Sequence, residues 1–203
     1  MYSELKELLF HPDLFFTRKT GEKIDLLIPA IIVLIGSMVG LITSFIVSGF
    51  LNITESRNIL VVLTPTNFLI ILLTPFLAWF LLSGVLYAVS RLWSGEGTFV
   101  ATLQNTGYGA LPLTILAIVP IINGIFLNVN VKIPQIIGFG IVIVFDLVTL
   151  LFVLWSGYLW TYAMEKTHTI THGKAVATAS IAVLLFLSYD VINNLGLVNL
   201  FPH

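Results

Sequence analysis

The sequence contains no cysteine. That removes disulfides, thiolate nucleophiles and thiolate metal ligands, and says nothing about the redox compartment. Charge is also scarce: 9% of the 203 residues are charged, against 58% hydrophobic. A soluble domain carries about 25% charged residues and about 45–50% apolar ones. So few charges cannot cover a globular surface, and lipid must solvate most of the outer face. A mean hydropathy of +1.04 points the same way. The net charge is −1, so no basic excess exists to displace phosphate counterions, and nucleic acid is excluded as a partner. No G-x-S-x-G, H-E-x-x-H, phosphate-binding glycine loop or paired-carboxylate site occurs, and no serine or threonine has a credible base beside it. A chain that is not an enzyme, with no cofactor and no metal, is expected.

What the chain does have is long apolar runs. Five approach the roughly 20 residues needed to cross a bilayer. They run from about Leu26 to Leu51, Phe68 to Val89 (with an earlier start near Ile59 as the alternative), Gly109 to Leu127, Pro134 to Tyr162, and Ala175 to Ile192. The fold class expected is therefore all-α, a polytopic bundle of five transmembrane helices. Residues 1–25 form a cytoplasmic amphipathic segment ahead of a transmembrane domain over 26–203. In that first segment Tyr2, Leu5, Leu8 and Leu9 share one helical face, and Pro12 stops the helix by disfavouring helical geometry at His11. Phe15 and Phe16 then precede Arg18 and Lys19, which fits an interfacial helix.

Orientation follows from the basic residues in short loops. Lys6, Arg18, Lys19, Lys23, Arg91, Lys166 and Lys174 fall on one side, and only Arg57 and Lys132 on the other. This bias predicts a multi-pass protein of the cell membrane, N-terminus cytoplasmic and C-terminus outside. No cleavable signal pattern follows the N-terminus, so the first span would direct insertion.

Inside the spans, four features stand out. Gly36, Gly40, Ser44 and Ser48 form a stripe of small residues at four-residue spacing, a surface for close helix approach. It serves packing within the chain or a homodimer. Pro65, Pro75, Pro112 and Pro120 predict kinks. Asp146 stands near the middle of the fourth apolar run, where a carboxylate costs at least about 2.5–3.5 kcal/mol. Protonation, or a hydrogen bond to Tyr108, Thr114, Ser83 or Asn123, would relieve it. Asp190, close to Asn193 and Asn194, sits near the outer interface. Beyond the fourth run, His168 and His172, with Glu165, have a spacing that could present two imidazoles to a metal, a weak signal in a threonine-rich loop.

Three motifs carry a resemblance. Gly107-Tyr108-Gly109-Ala110-Leu111-Pro112 fits G-Y-x-x-x-P, Gly95-Glu96-Gly97-Thr98-Phe99 precedes it, and His11-Pro12-Asp13-Leu14-Phe15-Phe16 contains Pro-x-x-Phe-Phe. In this order they resemble the Yip family of five-span proteins that interact with Rab-type GTPases, in a compact prokaryotic form. The resemblance implies a bundle with a cytoplasmic N-terminus, acting in trafficking or membrane shaping. The full Asp-Leu-Tyr-Gly-Pro element of the eukaryotic members is missing, with only Asp13-Leu14 before Phe15.

On the residues themselves, the two glycines permit close backbone approach. Tyr108 suits an interface, and Pro112 suits the first turn of a helix. The function expected is a scaffold for membrane organisation, with the bilayer, a protein at the cytoplasmic face or a second copy as partner. The alternative is a small transporter or channel using Asp146 as a proton or cation site.

Overall fold

The structure, a computed structural model, describes residues 2–51, 64–119 and 135–194. Among these there are eight helices and no strand. We number them α1 (Tyr2–Phe10), α2 (Pro12–Gly21), α3 (Leu27–Leu51), α4 (Pro65–Leu92), α5 (Phe99–Gly109), α6 (Leu111–Leu116), α7 (Gln135–His168) and α8 (His172–Asn194).

Local chemistry sets most boundaries. His11 alone separates α1 from α2, and its φ of −136° and ψ of 57° lie outside helical values, as Pro12 requires. Asp25 Oδ1 accepts from Leu27 N (2.8 Å) at the start of α3. Thr64 caps α4 by accepting from Asn67 N (3.4 Å). Pro65 fills the first position of α4, where its missing N–H is harmless, so no kink arises there. Pro75 does lie inside α4, and the helix continues through it. Thr98 caps α5 through Ala101 N (3.2 Å). The turn after α7 is closed by Thr169 at a positive φ of 52°.

Three helical stretches are long and apolar enough to cross a bilayer: Leu27–Ile46, Pro65–Leu92 and Ile143–His168. They match the first, second and fourth expected runs, and the chain is a helical membrane protein. The fifth expected run lies on α8, of which His172–Ser188 is the apolar stretch among the described residues. The third expected run falls on the end of α5, on α6 and on residues 117–127, of which 120–127 lie outside the described residues.

The core gathers at the end of the bundle where α1 and α2 sit, the hairpin end. Phe15, Phe16, Tyr108, Leu159, Trp160 and Met164 are buried there in one cluster. A smaller cluster of Leu116, Val153 and Val183 continues it between α6, α7 and α8. Gly157 makes the α7–α8 approach possible, since a Cβ on it would lie 2.5 Å from Val183 Cγ2.

Candidate functional site

The basic segments assigned to one side by charge do collect at the hairpin end. Lys166 Nζ at the end of α7 lies 2.5 Å from Asp13 Oδ1 of α2. Glu96, in the loop after Arg91, donates its backbone N–H to the carbonyl of His168 (3.1 Å). Arg57 and Lys132, the opposite set, fall outside the described residues.

All three sequence motifs meet at this end. Phe15 and Phe16, on α2 behind Pro12, are buried. The Phe15 ring meets Tyr108 edge-on, with centroids 5.1 Å apart. Lys19 Nζ stands 5.9 Å over the Tyr108 ring. The glycines beside Tyr108 admit two indoles: a Cβ on Gly107 would come within 3.0 Å of the Trp79 ring and 2.7 Å of Pro29 Cβ, and one on Gly109 would run into Trp160. Trp79 Nε1 donates to Leu103 O (2.9 Å) and Trp160 Nε1 to Thr106 O (3.1 Å). Pro112 is buried in the first turn of α6, the position its sequence context suggested. Phe15, Tyr108, Gly107 and Gly109 are thus each fixed by a named neighbour.

The third motif closes the knot from below. Gly95 and Gly97 pass so close to α7 that a Cβ on Gly95 would lie 2.8 Å from His168 Cβ, and one on Gly97 would strike Thr167 O. Arg91 Nη1 donates to Gly95 O (2.8 Å) and holds the turn.

Sequence reading missed α5 itself, whose residues it placed in a loop. The helix buries Thr102, Gln104, Asn105 and Thr106. Asn105 Nδ2 donates to Thr167 Oγ1 (2.7 Å). Thr102 Oγ1 donates to Thr98 O (2.9 Å), so it must accept from His168 Nε2, 2.8 Å away. His168 Nδ1 and Asn105 Oδ1 are buried without a partner. Gln104 Oε1 accepts from Asp25 N (2.6 Å) and ties α5 to the start of α3. Thr98 ahead of a polar run was the available signal, an N-cap pattern.

Magnitudes show what docks the hairpin. Arg18 and Lys19 of α2 reach Glu7 (2.5 Å) and Glu4 (3.6 Å) of α1, and Glu22 at 3.1 and 2.8 Å. Such exposed pairs contribute about 0–1 kcal/mol each. Burying Phe15 and Phe16 contributes about 1.5–3 kcal/mol apiece. The aromatic contacts dominate. Hydrogen bonding to Lys19, with Arg18 adding, holds the Glu22 carboxyl below its usual range. Partial burial works most strongly against the charge on Lys19, but its bond to Glu22 and the charges of Tyr108, Glu22 and Glu4 together outweigh that and raise it. A cleft of about 540 Å³ lies beside this cluster, between Lys19, Glu22, Lys23, Asp25, Gln104 and Tyr108.

The remaining sequence candidates lie elsewhere. Asp146 is exposed on α7, eleven residues from the start of the helix at Gln135. None of the described hydroxyls proposed as its partners reaches it: Tyr108 is in the knot, Thr114 Oγ1 donates to Ile32 O (3.3 Å) and Ser83 Oγ to Trp79 O (2.7 Å). Asn123 lies outside the described residues, as does the side chain of Asp190. Gly36 of the small-residue stripe faces Thr114 within the chain, while Gly40 meets open space. Ser44 is half-buried, and the Ser48 side chain is outside the described residues. His168 and His172 do not share a helical face, because α7 ends at one and α8 begins at the other. His168 turns inward to Thr102, whereas His172 Nδ1 lies 2.5 Å from Glu165 Oε2.

The profile of the family described as Yip1 domain matches residues 6–189. An uncharacterised protein of Methanocaldococcus jannaschii is 34% identical over 121 residues, covering 58% of this chain and 85% of its own length. No solved structure matches the chain.

Proposed function

The chain belongs to the Yip1 domain family, and from that premise we propose that it is a non-enzymatic scaffold of membrane organisation. Its working surface is the hairpin end, and the excess of Lys and Arg there supports a cytoplasmic position for it. One observation carries this reading: α1 and α2 are pinned to the bundle by Phe15 and Phe16, yet Phe10 and Leu14 remain exposed at the elbow between them. A rigid platform with two bare apolar side chains among charges suits recognition of a partner better than catalysis. The partner is a protein at the cytoplasmic face.

Crosslinking from photoreactive residues at positions 10 and 14 in native membranes tests it. A discrete crosslinked protein, lost when Phe10 and Leu14 are both changed to Ser in a chain crosslinked from position 17, supports the platform. Adducts with lipid alone reduce the hairpin to an anchor and overturn it.

A further inference from the structure

A second cavity, of about 330 Å³, opens at membrane depth between α3, α4, α6, α7 and α8, away from the knot's charged face. Gly36, Ala78, Ala110 and Ala117 keep it open by filling so little space. Its volume is at the lower end of the range of about 300–1,000 Å³ in which small-molecule sites fall.

The lining chemistry selects the occupant. Among the described residues, no titratable side chain lines the cavity. Its polar side chains already donate to backbone carbonyls: Thr74 to Ile70 (2.7 Å), Thr106 to Thr102 (2.6 Å), Thr114 to Ile32 (3.3 Å), Trp79 to Leu103 (2.9 Å) and Trp160 to Thr106 (3.1 Å). An ion would find no counter-charge. A water needs about 2–4 polar partners and would find no free donor here. An apolar ligand regains the dispersion contacts that an empty void forfeits.

Position selects the source. Thr74 and Ala78 are the exposed members of the α4 wall, one turn apart, so the mouth opens between them. Ala78 is at the midpoint of the Pro65–Leu92 span. Leu73, Leu77 and Leu81 beside it are exposed to lipid. At that depth the medium consists of hydrocarbon chains, with the headgroups about 15 Å away, half the hydrocarbon thickness. We propose that this cavity takes up an acyl chain of a membrane phospholipid, entering through the gap at Thr74 and Ala78. No hairpin residue lines it, so its failure would leave the platform reading untouched.

The test uses the full chain in phosphatidylcholine vesicles doped with phosphatidylcholine carrying a diazirine near one acyl terminus. After irradiation, labelled positions are mapped by peptide mass spectrometry. Val33 and Ala117, inside the cavity, are expected to label as strongly as lipid-facing Leu151, and Thr17 on the hairpin to define background. Ala78→Trp closes the mouth, and Val33 and Ala117 then lose their label while Leu151 keeps it. Ala117→Phe fills the cavity from its other wall and gives the same loss at Val33, should the first variant not fold. Background labelling at Val33 and Ala117 in the unaltered chain overturns the proposal. So does label that persists in both folded variants, or modification of those residues by a water-soluble carbene probe instead.

Discussion

The last third of α7 and its middle belong to one helix and live in different solvents. At the hairpin end Leu159, Ala163 and Met164 are 0% exposed, and Thr167 and His168 are buried in hydrogen bonds to α5. Towards the middle of the helix Val144 is 59% exposed, Leu147 55% and Leu151 65%, all apolar, with Asp146 among them. A polar–apolar pattern that would read as inside-out in water is the stable one in lipid. Without a hydrophobic drive between helices, hydrogen bonds and close packing hold the bundle, so polar and small residues go inward. The hairpin end has both in quantity, and specificity of structure therefore resides there.

Substitutions in the two stretches should separate these regimes. Trp160→Ala removes the indole that fills the notch at Gly109 and donates to Thr106, and should cost about 3–5 kcal/mol. Thermal unfolding in bilayer nanodiscs should register it as the largest loss, and an unchanged midpoint would undo the packing argument. Thr167→Val strands the buried Asn105 amide, at about 1–3 kcal/mol. The same scan should show a smaller drop, which Asn105→Leu in the same chain partly restores.

Acid should act at the hairpin end, not along the exposed middle of α7. The folded carboxyl of Glu22 is held low by Lys19 and Arg18, so its contribution is full above the unfolded value of about 4.3 and fades as pH falls through the lower folded one. Lys19 is raised, so its share is full below about 10.4 and fades as pH climbs through the higher folded value. Amide exchange in α2 should therefore speed up below pH 4, with exchange over Val144–Leu151 of α7 unaltered; equal acceleration in both would merge the two regimes. Leu147→Ala, in the bare middle, should move stability by no more than about 0.5 kcal/mol. A loss as large as that of Trp160→Ala would mean that protein, not lipid, covers that face.

The all-helical membrane fold, the break at Pro12, Pro112 in a first turn and the stretches of α3, α4 and α7 were legible, because apolar run length and proline chemistry are local signals. The contacts of α5 were not. Thr102, Gln104, Asn105 and Thr106 lower any hydropathy window, and what satisfies Thr102 and Asn105 lies more than 60 residues away in α7. The C-terminal reach of α7 was not legible either: the apolar run ends at Tyr162, but Thr161 and Thr167 bond within the protein and the helix continues to His168. Burial of polar groups at a helix end cannot be read from their identity alone.

The docking of α2 on α7 is the feature from which the site, the platform and the contrast all follow. The chain has no cysteine, so two can be introduced without background. Asp13→Cys paired with Lys166→Cys places thiols where a carboxylate and an ammonium now lie 2.5 Å apart. In native membranes a short bismaleimide should link them rapidly within one chain, and Tyr108→Ala should slow the reaction. Linkage no faster than that of Asp13→Cys paired with Leu147→Cys, about five turns back along the same helix, would contradict the docked hairpin.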